Sequence, residues 1–198
     1  NEKMTVKELK DVKSDSQTAT KEVRLQLGCC DRKMPGFINV DIREEQNPDV
    51  LCDIAQINKK FQDVDLIYSS HVLEHFKRDE FMDVLQEWYN TLKEGGTLRL
   101  SVPCMEAAAK YYLETGDLNR MLCGLLYGDQ GGPYCYHYHI WDFKTLSKNL
   151  KDVGFKMVQR WDWREVDHSY IDDHSQAYLP HMDKLNGRLM SLNVEAIK

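Results

Sequence analysis

His71, Glu74 and His75 stand in the stretch HVLEHF, directly after the apolar run at 64–68 and the pair Ser69-Ser70. A second polar set, His137 and His139, lies in YCYHYHIWDF, with Asp142 just ahead of an apolar-periodic segment that begins at Phe143. In the first set His71 is the pocket candidate, while His75 reads as a packing or capping residue rather than a catalytic one. In the second set an imidazole can take a proton from a hydroxyl near neutral pH, which makes the oxygen a competent nucleophile. Two residues apart on an extended segment, His137 and His139 face the same way. At least one of the pair is expected to line a pocket as a general base, with Asp142 as the next candidate. A histidine that only hydrogen-bonds the backbone is the plainer alternative for either. A third set fills WDWREVDHSYIDDHSQAYLPHMDK. There Trp163, Tyr170 and Tyr178 offer flat apolar faces, and Asp172, Asp173 and His181 offer hydrogen bonds, with Tyr134 from the preceding segment beside them. Aromatics interleaved with acids suit a carbohydrate, because faces stack and carboxylates take hydroxyls. The same His/Asp set could hold a divalent ion, but no metal site is assigned. A solvated flap is the plain alternative.

These residues need elements to position them. Short runs of strand formers are expected at residues 23–27, 37–41, 49–52, 64–68, 97–102, 155–161 and 189–197. Helical spacing of apolar residues is expected at 79–92, 106–114, 118–127 and 143–153, with Gly95-Gly96 and Gly154 as stop signals. The alternation gives an α/β fold, a Rossmann-like, doubly wound, mostly parallel sheet of seven strands. The last strand, with no helix before it, enters antiparallel. One link departs from that pattern. Residues 28–37 are too few for a crossover helix and contain Pro35 and Gly36. The first helix is therefore vestigial or supplied by the N-terminal segment. The stretch 162–188 reads as one long loop, and a loop of that length in a compact domain is usually functional.

In an open parallel sheet, ligands lie beyond the carboxyl ends of the strands. Gly28 follows the first strand, where a missing Cβ lets a ligand approach the backbone. Asp41 ends the second and can accept from the vicinal hydroxyls of a ribose. Asp53 follows the third, and its neighbour Ile54 can pack on a flat ring. Turn and cap roles are the alternatives for these residues. The first loop reads GCCDRK, with one glycine and no helix for a pyrophosphate, so a dinucleotide is disfavoured.

LGCC after the first strand, NVDI, LCDI, HVLEHF and LKEGGTLRLSVP together resemble the class I S-adenosylmethionine-dependent methyltransferases. The pattern is similar, more narrowly, to methyltransferases of glycan and sugar modification. The resemblance covers residues 24–155, with the tail SLNVEAIK like the final strand of such domains. It implies S-adenosylmethionine as cofactor, a molecule without phosphate. It places Gly28, Cys29, Asp41, Ile42, Cys52, Asp53, Ile54, Ser70 and His71 around that cofactor. The activity implied is O-methylation of a sugar hydroxyl on a glycan or glycolipid, a deoxysugar such as rhamnose among them. A small-molecule N-methyltransferase and a non-catalytic cofactor-binding domain are the rival readings.

The bulk properties bound the rest. A chain of 198 residues with 42% hydrophobic and 29% charged residues fits one globular domain, expected at 22–198. Residues 1–21 are polar and weakly patterned, and read as a linker or N-terminal extension. They leave room for a glycosyltransferase domain upstream in a longer polypeptide. The net charge of −6 and the lack of basic blocks argue against nucleic acid as a partner. No apolar run is long enough to span a bilayer. Six cysteines without a CxxC pair point to reduced thiols and a cytoplasmic setting.

Overall fold

The computed structural model describes residues 22–198; the expectation for residues 1–21 lies outside the described residues. Five parallel strands form the first part of the sheet: β1 (Arg24–Leu27), β2 (Ile38–Asp41), β3 (Val50–Leu51), β4 (Val64–Ser70) and β5 (Leu92–Pro103). Helix α1 (Phe81–Thr91) connects β4 to β5. Helices α2 (Met105–Thr115), α3 (Arg120–Tyr127) and α4 (Phe143–Val153) follow β5. Strand β6 (Met157–Arg160), the short hairpin β7 (Tyr178–Leu179) with β8 (Arg188–Leu189), and β9 (Ser191–Ile197) complete the chain. The main sheet runs β3-β2-β1-β4-β5-β9-β6, and β9 is antiparallel to both its neighbours. The expected seven-stranded sheet and its antiparallel last strand are thus present. No helix of the described residues is long and apolar enough to cross a membrane.

The apolar stripe of α1 explains its place. Phe81, Val84, Leu85 and Trp88 are buried in the main core, at the spacing of one helical face. The Trp88 indole donates to Ile54 O at 3.0 Å, so α1 fixes the loop after β3 as well as the sheet. The helix stops at Thr91, ahead of the Gly95-Gly96 stop expected from the sequence. Leu92 is already extended, and Val64 pairs with it, so sheet pairing ends the helix first.

Residues 28–37 hold no helix, as their length required. The sheet face left free there is covered in another way. Leu66 and Tyr68 pack with Met34 and Phe37 from that link, and with Trp161 and Ile171 from the far end of the chain. The stretch 162–188 is therefore a strap rather than one open loop. It contains two short 3-10 turns, Trp163–Glu165 and His174–Gln176, and most of the β7–β8 hairpin. It is tied down by Arg24–Asp167, by Gln176 Nε2 to Ser169 O and Ile171 O, and by Asn193 Nδ2 to Ser175 O.

His168 sits at the centre of this contact. It is buried beside Tyr68, with ring centroids 4.5 Å apart, and its Nε2 accepts from Arg99 Nη1 at 3.1 Å. Burial first, and then the Arg99 charge, push its pKa from 6.5 down to about 4. The unfolded chain then binds more protons than the folded one between those values. Stability is complete above pH 6.5 and falls as the pH drops through about 4. We expect up to ~3 kcal/mol of acid destabilisation from this residue. In a series of melting curves from pH 7 to about 4, His168→Gln, which keeps an acceptor for Arg99, should flatten the decline. An unchanged decline would mean that other groups carry it.

Candidate functional site

The carboxyl ends of β1, β2, β3 and β4 open on one edge of the sheet, into a cavity of about 1390 Å³. Its near wall holds Gly28, Asp41, Ile42, Asp53, Ile54, Ser70 and His71. Its far wall comes from α3, from residues 128–137 and from the strap.

Gly28 has φ +68, and a Cβ there would stand 2.5 Å from Val72 Cγ2. Only glycine is tolerated at that turn without movement. Its N–H and that of Cys29 both donate to Val40 O, which pins the loop to β2. Asp53 caps the turn that follows β3, with Oδ1 accepting from Ala55 N at 2.9 Å. Ser70 Oγ is buried and has no hydrogen-bond partner at the cavity wall. The orphan hydroxyl there fits a ligand laid against the strand ends. Asp41 is more occupied than the sequence suggested. Its Oδ2 accepts from Cys30 N at 2.9 Å, and its Oδ1 from Arg43 N at 2.9 Å. The Arg43 guanidinium also lies on it, at 3.2 Å. Ribose hydroxyls reach this carboxylate only if the guanidinium swings aside.

Two residues expected at the cofactor do not line the cavity. Cys29 is buried, and burial together with the nearby Asp41 charge raises its thiol to about 11. Cys52 turns its sulfur toward Asp53 O at 3.3 Å. Each neighbours a lining residue, but the side chain points elsewhere.

The second wall differs more from expectation. Gly128, with φ +76, starts a tight return in which a Cβ would overlap Cys135 O. That return brings His137 N to Tyr127 O, and His137 Nδ1 donates to Leu125 O at 2.9 Å. His137 thus lines the cavity. His139 does not. It stacks on Trp141 at 4.9 Å and meets the edge of Phe81 at 4.6 Å, so it belongs to the packing under α4. The expected common face of the two histidines fails because Tyr138 N is tied to Glu74 O and Trp141 bridges to Cys104, which bends the segment. Asp142 also lies outside the cavity. It caps α4 through Thr145 N at 2.7 Å.

Of the strap residues, Asp172, Asp173, Tyr178 and His181 line the cavity, and Tyr134 stands at its rim. Trp163 faces a small groove on another side, and Tyr170 is 65% exposed. The two acids are not gathered as metal ligands. Asp172 pairs with Lys184 at 3.1 Å, and Asp173 accepts from Tyr68 and from Ser175 N.

Glu74 stood in the polar cluster after β4 but was given no role from the sequence. Its side chain is fully buried, and neither carboxylate oxygen has a hydrogen-bond partner. His71 Nδ1 lies 3.2 Å and His137 Nε2 3.9 Å from its Oε1. Burial raises its pKa to about 8. Burial likewise pushes His137 down to about 4, and lowers His71 and His75, so these imidazoles are neutral at physiological pH. The signal was present in HVLEH, where His71, Glu74 and His75 stand at the i, i+3, i+4 spacing of a single turn. Among the described residues, Glu74, His75 and His137 are the one group of three or more His, Cys, Asp or Glu side chains close enough to share a metal ion.

Residues 25–100 match the family model described as "Methyltransferase domain". A search of curated proteins gives no match. Among solved structures, the chain is similar to a SAM-dependent methyltransferase from Archaeoglobus fulgidus. The two share 18% identity and a TM-score of 0.54 over 90% of this chain and 87% of that one. An S-adenosylmethionine-dependent methyltransferase from Mesorhizobium loti gives 17% identity and a TM-score of 0.53, over 89% and 90%. The Burkholderia thailandensis 1,6-didemethyltoxoflavin-N1-methyltransferase, solved with 1,6-didemethyltoxoflavin and S-adenosylhomocysteine, gives 14% and 0.53, over 90% and 72%. At these identities the structures speak for the fold, and the family match for the domain type.

Proposed function

We propose that this chain, which carries a methyltransferase domain supplied by S-adenosylmethionine, transfers the methyl group to a hydroxyl of a carbohydrate. Bound S-adenosylmethionine supplies a methyl group made electrophilic by the sulfonium. The residues on the near wall fit the rest of that molecule. Gly28 gives it backbone access, Asp53 offers an acceptor to an amino group, and Asp41 offers one to hydroxyls once Arg43 moves. Ser70 and His71 border the end nearest the acceptor.

The observation that carries the oxygen-acceptor reading is a pair of imidazoles at the cavity wall, His75 and His137, whose Nδ1 atoms are tied to the backbone carbonyls of Tyr136 and Leu125, so that each Nε2 keeps a lone pair for a proton. A hydroxyl must lose its proton as the carbon–oxygen bond forms, and an amine needs this less. His75 and His137 stand at the cavity, and Glu74 lies behind them, its Oε1 3.9 Å from His137 Nε2. The wall aligns the oxygen and removes its proton, and alignment contributes as much as the acid–base step. The sugar reading is supported by the strap side of the cavity. There Asp172, Tyr178 and His181 offer acceptors and a flat face to a ring bearing several hydroxyls.

The test is transfer of a labelled methyl group to a panel of free sugars, glycosides and small amines. Label on a sugar oxygen is the expected result. Label only on an amine would overturn the carbohydrate reading in favour of N-methylation. No label on any acceptor, with S-adenosylmethionine still bound, would favour a binding domain.

A further inference from the structure

We propose that Glu74, His75 and His137 form a site for a divalent transition ion of the zinc class, built into the acceptor wall of the cavity. One donor atom of each lies within 4.8 Å of the other two. Ligands of such an ion stand at about 2.0–2.2 Å from it. The three must therefore close by roughly an ångström, within reach of side-chain rotation at the half-buried histidines.

Three features distinguish this group from a chance cluster. First, the Glu74 side chain is fully buried, with two oxygens that have no hydrogen-bond partner. A buried acid in that state keeps its proton unless a cation replaces it. Second, both histidines are oriented in the way metal ligands are. His75 Nδ1 lies 2.9 Å from Tyr136 O, and His137 Nδ1 lies 2.9 Å from Leu125 O. A carbonyl only accepts, so each Nδ1 carries the hydrogen and each Nε2 keeps its lone pair. A backbone carbonyl on the second nitrogen fixes the tautomer and the ring plane. Third, the two histidines line the cavity while Glu74 lies behind them. The ion would sit with its remaining coordination positions toward the cavity.

Two neutral imidazoles and one carboxylate are a borderline donor set, suited to zinc or ferrous ion rather than to calcium or magnesium. An open position on such an ion lowers the pKa of a bound hydroxyl. That use rests on the acceptor reading above and would replace direct proton removal by His137, whose Nε2 lone pair the ion would take, whereas binding of the ion does not depend on that reading.

The metal-stripped full chain is titrated with Zn²⁺ against a chromophoric chelator, without S-adenosylmethionine or acceptor. One equivalent should bind. Glu74→Gln and His137→Ala should each weaken it by roughly 100-fold or more, and His139→Ala should not. Circular dichroism checks that the variants fold, and His75→Ala replaces Glu74→Gln if that variant does not. Failure to bind one equivalent, or equal affinity in the ligand variants, overturns the site. In that case Glu74 is a buried acid that shares its proton with His71. Methyl transfer that survives exhaustive chelation would also remove the ion from the reaction while leaving the methyltransferase reading intact. Stoichiometric binding with no methylated carbohydrate would do the reverse.

Discussion

In the His137→Ala variant we expect kcat to fall by on the order of 10²–10⁴, with affinity for S-adenosylmethionine near that of the wild type. The split follows from position. Gly28, Asp53 and Ser70, proposed to hold the cofactor, belong to the strand ends, whereas His137 is held by Leu125 O on the opposite wall. Removing the imidazole leaves the hydroxyl without a group to take its proton. It also leaves Glu74 facing an empty space. The acceptor's KM should change less than kcat, since the lost interaction forms chiefly as the oxygen gains charge. His139→Ala is the informative control. That ring packs between Trp141 and Phe81, so its loss should lower the melting temperature and leave kcat nearly untouched. Near-normal turnover in His137→Ala on a carbohydrate acceptor would remove this wall from the chemistry. Loss in His139→Ala with His137→Ala intact would invert the assignment.

The contrast between these two histidines also shows where the sequence was readable. Strand and helix order followed from local periodicity, and topology then put the polar residues after β1, β2, β3 and β4 on one edge. Gly28, Asp41, Asp53 and Ser70 reach the cavity for that reason, with no knowledge of their partners. What stayed hidden was set by contacts distant in sequence. Asp41 is covered by Arg43, whose reach back across the loop leaves no mark in the composition. Residues 137–139 would alternate regularly on a free strand, but Tyr138 N bonds to Glu74 O, across the cavity wall. The strap was legible in part: Asp172, Asp173, Tyr178 and His181 reach the cavity, but its packing on the sheet was not. Its histidines, acids and tyrosines read as a ligand-facing loop, yet some of these groups are spent on partners in the sheet. His168 with Arg99 and Asp173 with Tyr68 are examples. Hydropathy alone cannot separate a polar group that faces water from one whose partner lies a hundred residues away.

Asp173→Ala should destabilise the fold by roughly 3 kcal/mol, the scale of a lost charged hydrogen bond together with a lost cap and a stranded buried hydroxyl. Tyr68 is fully buried in β4, and its hydroxyl donates to Asp173 Oδ2 at 2.5 Å. The other oxygen, Oδ1, accepts from Ser175 N at 2.9 Å and caps the turn at His174–Gln176. One carboxylate therefore fastens the strap to the central strand and starts the turn that leads to Tyr178. The functional consequence follows from what the strap carries. Asp172, Tyr178 and His181 reach the cavity only while this segment is held down, so the acceptor's KM should rise more than the dissociation constant of S-adenosylmethionine. Asp173 itself touches the cavity, so Tyr68→Phe is the cleaner probe, because Tyr68 lies beneath the strap and away from the cavity wall. It breaks the same hydrogen bond and keeps the carboxylate. The double variant should cost less than the two single changes added together, since each alone leaves a buried group without its partner. Strict additivity in denaturant melts, or an acceptor KM unmoved in both single variants, would mean that the strap covers the sheet without shaping the site.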